Sequence, residues 1–205
     1  GQFEEMYKEA TSIPWHQNEQ DNWLDIKLTI SLLKTKKPYD FILDFGSGLG
    51  YFLNILKRTV ASENSKMVGF DISKTACDKA KNLFPEYHFY VNDLMKKNIR
   101  EKQVNLNKKN KLFCIRGTLW YVYPEIENVV ENISNHMKIN DPLLVSQNFP
   151  PLDSNFVGKE IIPDHKAIIN YFSKHFKVER SIWSQDYKSN SNDNWFICLF
   201  TKEKD

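Results

Sequence analysis

The sequence predicts an α/β protein built on a mainly parallel sheet, and three observations carry that prediction. Beyond residue 40, short apolar runs alternate with segments whose apolar residues recur at helical spacing. The last two apolar runs are separated only by "SQDYKSNSND", too short for a parallel crossover, so they pair antiparallel at the end of the sheet. Three glycines at alternate positions, Gly46, Gly48 and Gly50, join the first apolar run to the first helix. That is the edge at which open parallel sheets bind their ligands.

Each element has its own signature. "DFILDF" is a short apolar strand that ends at the glycines, and "LGYFLNILKRT" follows as a helix. "KMVGFD" is the second strand, and Ser73 is placed to cap the helix "SKTACDKAKNLF". "YHFYVND" and "KLFCIRG" are the third and fourth strands. In "PEIENVVENISNHM", Pro124 stands at a helix start and Ile126, Val129, Val130 and Ile133 form one apolar face. "DPLLVSQNF" is the fifth strand, "DHKAIINYFSKHF" a helix, and "KVERSIW" and "NWFICLFTK" the sixth and seventh strands. Residues 1–39 read as a helical cap, with Trp23, Ile26, Ile30 and Leu33 on one helix face, docked on a domain of residues 40–205.

Composition narrows the function. Hydrophobic residues make up 41% of the chain and charged residues 26%, which is ordinary for a globular protein. A net charge of +2 is too small to demand nucleic acid or an anionic membrane as a partner. No apolar run approaches the roughly 18 residues of a membrane helix. The opening "GQFEEMYKEA" is acidic and amphipathic, unlike a secretory leader. Cys77, Cys114 and Cys198 lie far apart among apolar or helical neighbours, which suggests buried thiols in a cytoplasmic protein and no zinc site. The one strongly basic stretch, Leu94 to Lys111, holds seven basic residues and one acidic, with no interleaved aromatic. It reads as a solvated loop more than as a nucleic-acid surface.

The glycine turn separates two ligand classes. A dinucleotide site needs G-x-G-x-x-G, and its third glycine would fall on Tyr51. Asp44, two residues ahead of the first glycine, would also repel a pyrophosphate. A ligand with a cationic group fits better.

With Asp44, Gly46, Gly48 and Gly50, the chain resembles the class I S-adenosylmethionine-dependent methyltransferases, whose first motif is an acidic residue followed by G-x-G-x-G. The resemblance covers residues 40–203 and recurs at Asp71, at Asn92-Asp93 followed by Leu94, and at "CIRGTLWYVYPEIENVV". It implies a Rossmann-like seven-stranded sheet of order 3-2-1-4-5-7-6, with strand 7 antiparallel and helices on both faces. It also implies S-adenosylmethionine as cofactor and S-adenosylhomocysteine as product. The implied cofactor residues are Asp44, Gly46, Ser47, Gly48, Gly50, Asp71, Ile72, Asn92, Asp93, Leu94, Arg116 and Gly117. Asp71 would take the ribose hydroxyls, a feature shared with dinucleotide enzymes, and Asn92-Asp93 the adenine.

Methyl transfer to oxygen needs a well-placed acceptor and a general base. His16, in the cap, and His165, at a helix start on the sheet's ligand edge, are candidate bases, with Tyr121 as a third. Trp15, Trp120, Tyr123 and Asn148 are candidate acceptor contacts, with Gln147 beside them. His88, His136 and His175 read as structural or exposed. The expected acceptor is a small polar metabolite: a sugar, a sugar nucleotide or a related surface-polysaccharide precursor, methylated on oxygen. RNA or another nucleic acid as acceptor, a non-catalytic cofactor-binding protein and a nucleotide-dependent dehydrogenase stand as alternatives.

Overall fold

The computed structural model describes residues 2–36, 38–96, 110–187 and 194–204. Most of the basic stretch (97–109) and of the hairpin connection (188–193) lies outside the described residues. In chain order the elements are α1 (Gln2–Glu9), a 3-10 segment (Pro14–Asn22), α2 (Leu24–Leu33), β1 (Tyr39–Phe45), α3 (Tyr51–Thr59), β2 (Ala61–Asp71), α4 (Lys74–Leu83) and β3 (His88–Val91). They continue with β4 (Lys111–Arg116), α5 (Leu119–Val122), a 3-10 turn (Tyr123–Glu125), α6 (Ile126–Asn135), β5 (Pro142–Phe149), α7 (His165–Phe172), β6 (Phe176–Ser184) and β7 (Asn194–Lys202).

The sheet has seven strands in the order β3-β2-β1-β4-β5-β7-β6. β2 pairs parallel with β1 and with β3, whereas β7 runs antiparallel to both β5 and β6. This is the Rossmann-like order and reversed last strand that the sequence predicts.

The chain forms two compact units. The first takes in the described residues up to 93 and residues 110–113. Its core is aromatic: Phe45 packs against Phe70 with ring centroids 6.0 Å apart, and Phe113 packs against Phe41 at 6.0 Å. α3 closes over this core with Phe52, Leu53, Ile55 and Leu56 buried on one face. Lys57 and Arg58 stand in its last turn, where positive charge suits the helix dipole. In α4, the Ser73 hydroxyl accepts the Ala76 N–H at 3.0 Å, so Ser73 is the expected cap.

Residues 2–36 belong to this first unit. In α2, Ile26 and Leu33 are fully buried, but Trp23 precedes the helix and is 37% exposed. The apolar face of α2 is completed by Leu32 and Thr29 instead.

The second unit comprises residues 94–96 and the described residues from 114 onward. β7 is buried at every position except Thr201, because strands flank it on both edges and its residues are apolar on both faces. Phe200 stacks on Phe172 of α7 at 5.4 Å. α6 buries Ile126, Val129, Val130 and Ile133 as predicted, but Pro124 lies in a 3-10 turn (Tyr123–Glu125) and the α-helix begins after it. Asn132, also buried, donates to the Leu94 carbonyl at 2.7 Å.

The three cysteines are free and buried, and burial pushes the Cys77 thiol up to about 12. Among the described residues no helix is long and apolar enough to cross a membrane.

Candidate functional site

β1 delivers the glycine turn. Gly46, Gly48 and Gly50 all have positive φ, at 80°, 53° and 83°. Side chains are excluded by space as well at two of them. A Cβ on Gly50 would lie 2.6 Å from the Phe89 ring, and one on Gly48 would lie 2.8 Å from both the Gln17 amide and the Tyr7 hydroxyl.

The turn's backbone N–H groups are all committed to acceptors within the protein. Gly46 and Ser47 donate to the Phe70 carbonyl at 2.7 and 2.9 Å, and Gly50 donates to the Ser47 carbonyl at 2.9 Å. Gly48 donates to Asp71 Oδ2 at 2.9 Å, and Leu49 to Gln17 Oε1 at 3.0 Å. Phosphate-binding turns work by offering such donors to the anion. Here a pyrophosphate finds none of these five, and Asp44, only 2% exposed, stands at the start of the turn. The arrangement favours a cationic ligand group.

Asp71 ends β2 and is 9% exposed. Each of its oxygens accepts one backbone N–H, Oδ2 from Gly48 and Oδ1 from Ser73 at 2.9 Å. Burial raises its pKa above the ordinary carboxylate value despite those bonds. Lone pairs remain on both oxygens for a diol. The Ser47 hydroxyl is buried at the turn with no hydrogen-bond partner. Ile72 follows Asp71 and is 47% exposed. Asn92 donates its backbone N–H to the Asp71 carbonyl at 2.8 Å, which ties the half-buried Asn92-Asp93 pair to the end of β2.

Three residues that sequence reasoning missed complete this edge. Glu4 of α1 accepts from the Ser73 hydroxyl at 2.7 Å and from the Thr75 hydroxyl and N–H at 2.6 and 3.1 Å. These bonds pull its pKa down to about 2. Gln17 sits on the turn, and Gly69 is a glycine of necessity, since a Cβ there would lie 2.4 Å from the Ser47 hydroxyl. Tyr7, Leu49 and Ala76 form a buried apolar cluster beneath α1. No local pattern announces such contacts, because Glu4 and Gln17 meet partners 32 to 71 residues away.

Trp15 and His16 lie just ahead of Gln17 with φ of 52° and 48°, a left-handed backbone that costs on the order of 1 kcal/mol or more per non-glycine residue. Trp15 is partly exposed and packs near Tyr7, with centroids 6.0 Å apart. The His16 side chain is 72% exposed and lies 3.5 Å from Glu19.

In the second unit, Gly117 (φ 65°) donates to the Ser146 carbonyl at 2.9 Å, and the Arg116 guanidinium lies 4.7 Å over the Trp195 ring. Leu94 is buried. Gln147 is fully buried, with its Oε1 accepting the Leu119 N–H at 3.0 Å and its amide donating to Asn148 Oδ1 at 3.0 Å. Its work is to shape the chain after β4. Trp120 donates to the Asn148 carbonyl at 2.7 Å and packs against Phe149 and Phe156. Tyr121 is 44% exposed, and Tyr123 lies against Gly158. His165 stacks on Trp183 at 4.6 Å and packs near Phe196, with its Nδ1 buried and unbonded. Burial lowers its pKa.

Residues 42–140 match the family model described as a methyltransferase domain. No curated protein sequence matches. Among solved structures, the chain is similar to N-methyltransferase NodS from Bradyrhizobium japonicum in complex with S-adenosylhomocysteine (12% identity, TM-score 0.68, covering 97% of each chain). It is similar to a TehB-like SAM-dependent methyltransferase from Corynebacterium glutamicum (18% identity, TM-score 0.64, 91% of each chain). A third similar structure is magnesium protoporphyrin IX methyltransferase from Synechocystis with bound SAM (14% identity, TM-score 0.63, covering 96% of this chain and 88% of that one). These likenesses establish the fold. The family match spans the acidic glycine turn, Asp71 and Asn92-Asp93, and together with the fold it supports a class I S-adenosylmethionine-dependent methyltransferase. Its cofactor is S-adenosylmethionine. The residues fit that molecule, with a turn that favours a cation over a phosphate and a buried carboxylate whose oxygens each accept one backbone N–H and keep lone pairs for a ribose diol.

Proposed function

We propose that the protein methylates an oxygen of a small polar metabolite: a sugar, a sugar nucleotide or a related precursor of surface polysaccharide. The observation that carries the reading is the covering of the glycine turn by the N-terminal segment through Tyr7 and Gln17, with Glu4 bonded to Ser73 just past the end of the neighbouring strand. A covered cofactor edge suits an acceptor small enough to be enclosed, and enclosure excludes water from the transfer. When bound, S-adenosylmethionine supplies an electrophilic methyl group. In the first unit Asp44, Gly46, Ser47, Gly48, Gly50, Asp71, Ile72, Asn92 and Asp93 are the proposed cofactor residues.

His165 is the proposed general base. Its imidazole is neutral at neutral pH because burial disfavours the charged form, and stacking on Trp183 fixes its plane. His16, exposed and beside Glu19, and Tyr121, also exposed, have weaker support for that role. Trp15, Trp120, Tyr123 and Asn148 are the proposed acceptor contacts.

The test is to incubate the protein with S-adenosylmethionine and separate panels of sugar nucleotides, free sugars, amines and RNA, and to follow S-adenosylhomocysteine release. Turnover with a sugar-type hydroxyl acceptor is expected. Turnover confined to RNA or to amines would overturn the reading.

A further inference from the structure

The glycine turn owes one of its hydrogen bonds to a side chain from outside the sheet and its crossovers. Four of the five N–H groups from Gly46 to Gly50 are taken by Phe70, Asp71 and the turn itself. The fifth, from Leu49, goes to Gln17 Oε1 at 3.0 Å. The other end of that carboxamide donates to the Tyr7 hydroxyl at 3.3 Å, so its orientation is set at both ends. Tyr7 is itself held, being 3% exposed and clustered with Leu49 and Ala76, while its carbonyl accepts from Lys79 of α4. The amide also fills the space beside Gly48 that a Cβ would otherwise occupy.

We propose that Gln17 is a cofactor-positioning residue, which holds the glycine turn in its binding conformation by accepting the Leu49 N–H and packing against Gly48. The inference rests on the cofactor assignment and not on the identity of the acceptor. Gln17 also completes the turn's selectivity. With its acceptor in place the turn offers no N–H to a phosphate, and without it Leu49 exposes a donor that an anionic ligand can use. The left-handed backbone of Trp15 and His16 belongs to the same device, since it delivers Gln17 to the turn at the end of a tight bend.

The experiment compares wild type, Gln17→Ala and Gln17→Glu, each checked for an unchanged thermal midpoint, with two readouts. The first is hydrogen exchange at the Leu49 amide in ligand-free protein. The second is the calorimetric Kd for S-adenosylhomocysteine. Gln17→Ala is expected to lose Leu49 protection and to bind S-adenosylhomocysteine about tenfold more weakly, the loss of one net hydrogen bond. Gln17→Glu keeps an acceptor for Leu49 and is expected to restore protection and to bring the Kd to within about threefold of wild type. Wild-type affinity in Gln17→Ala, or a failure of Gln17→Glu to restore it, would overturn the proposal. If wild type itself binds no S-adenosylhomocysteine, the cofactor assignment fails instead, and the exchange readout still decides whether Gln17 holds Leu49.

Discussion

Burial makes two side chains of this protein chemically distinctive. Asp71 is buried at the end of β2, which raises its pKa, while its two oxygens accept backbone N–H bonds from Gly48 and Ser73, so it is a rigidly held acceptor for hydroxyl groups. His165 is held neutral against Trp183 with a nitrogen unbonded. For His165 the sign of the pH dependence follows from the depressed pKa. The neutral imidazole predominates at and above pH 6.5 and is lost as pH falls through the lowered folded value. The acid limb of kcat is therefore expected below pH 6.5. His165→Phe preserves the aromatic packing and removes the base. Its kcat should fall about 100-fold or more with no change in the Kd for S-adenosylhomocysteine. A kcat within about twofold of wild type would remove His165 from the mechanism. Asp71 was legible from the sequence because a carboxylate at a strand end, at a set spacing from a glycine turn, is local chemistry. The neutrality of His165 was not, because it depends on rings contributed by β6 and β7.

Elements show the same division. β7 stands at Asn194–Lys202, the span its unbroken apolar run predicts, and Ser73 caps α4 as its position ahead of the helix predicts. β2 begins at Ala61, earlier than its apolar residues indicate, because its polar start pairs beside a register shift at Tyr39/Phe41. α1 is the larger omission. It is a helix of only two turns, marginal on propensity alone, and its order comes from the docking of Tyr7 and Glu4 on α4. That docking predicts an acid response. The Glu4 carboxylate is depressed from 4.5 to about 2, so its bonds to Ser73 and Thr75 are fully present above pH 4.5 and are lost as pH falls through about 2. Hydrogen exchange in α1 should therefore rise in strong acid, and in Glu4→Gln it should be raised already at neutral pH. Unchanged exchange in that variant would show that α1 is held by its apolar contacts alone.

At the scale of the molecule, the strand order and the reversed β7 place the chain in its fold class, and the committed N–H groups of the turn decide what kind of ligand that fold carries. A dinucleotide enzyme of similar architecture needs free donors for its pyrophosphate, whereas here the turn's donors are spent and a buried Asp44 stands at its start. The acceptor was less legible than the cofactor, because acceptor contacts come from loops and caps whose pairing has no short-range signature. The central claim, that this turn together with Asp71 binds S-adenosylmethionine and rejects dinucleotides, is tested most directly by calorimetric titration with S-adenosylhomocysteine against NAD, repeated with Asp71→Ala. S-adenosylhomocysteine should bind wild type in the micromolar range, NAD should give no heat of binding, and the substitution should weaken binding by about tenfold or more as hydrogen bonds to a charged acceptor are lost. Binding of NAD in preference to S-adenosylhomocysteine, or an Asp71→Ala protein that binds as wild type does, would contradict it.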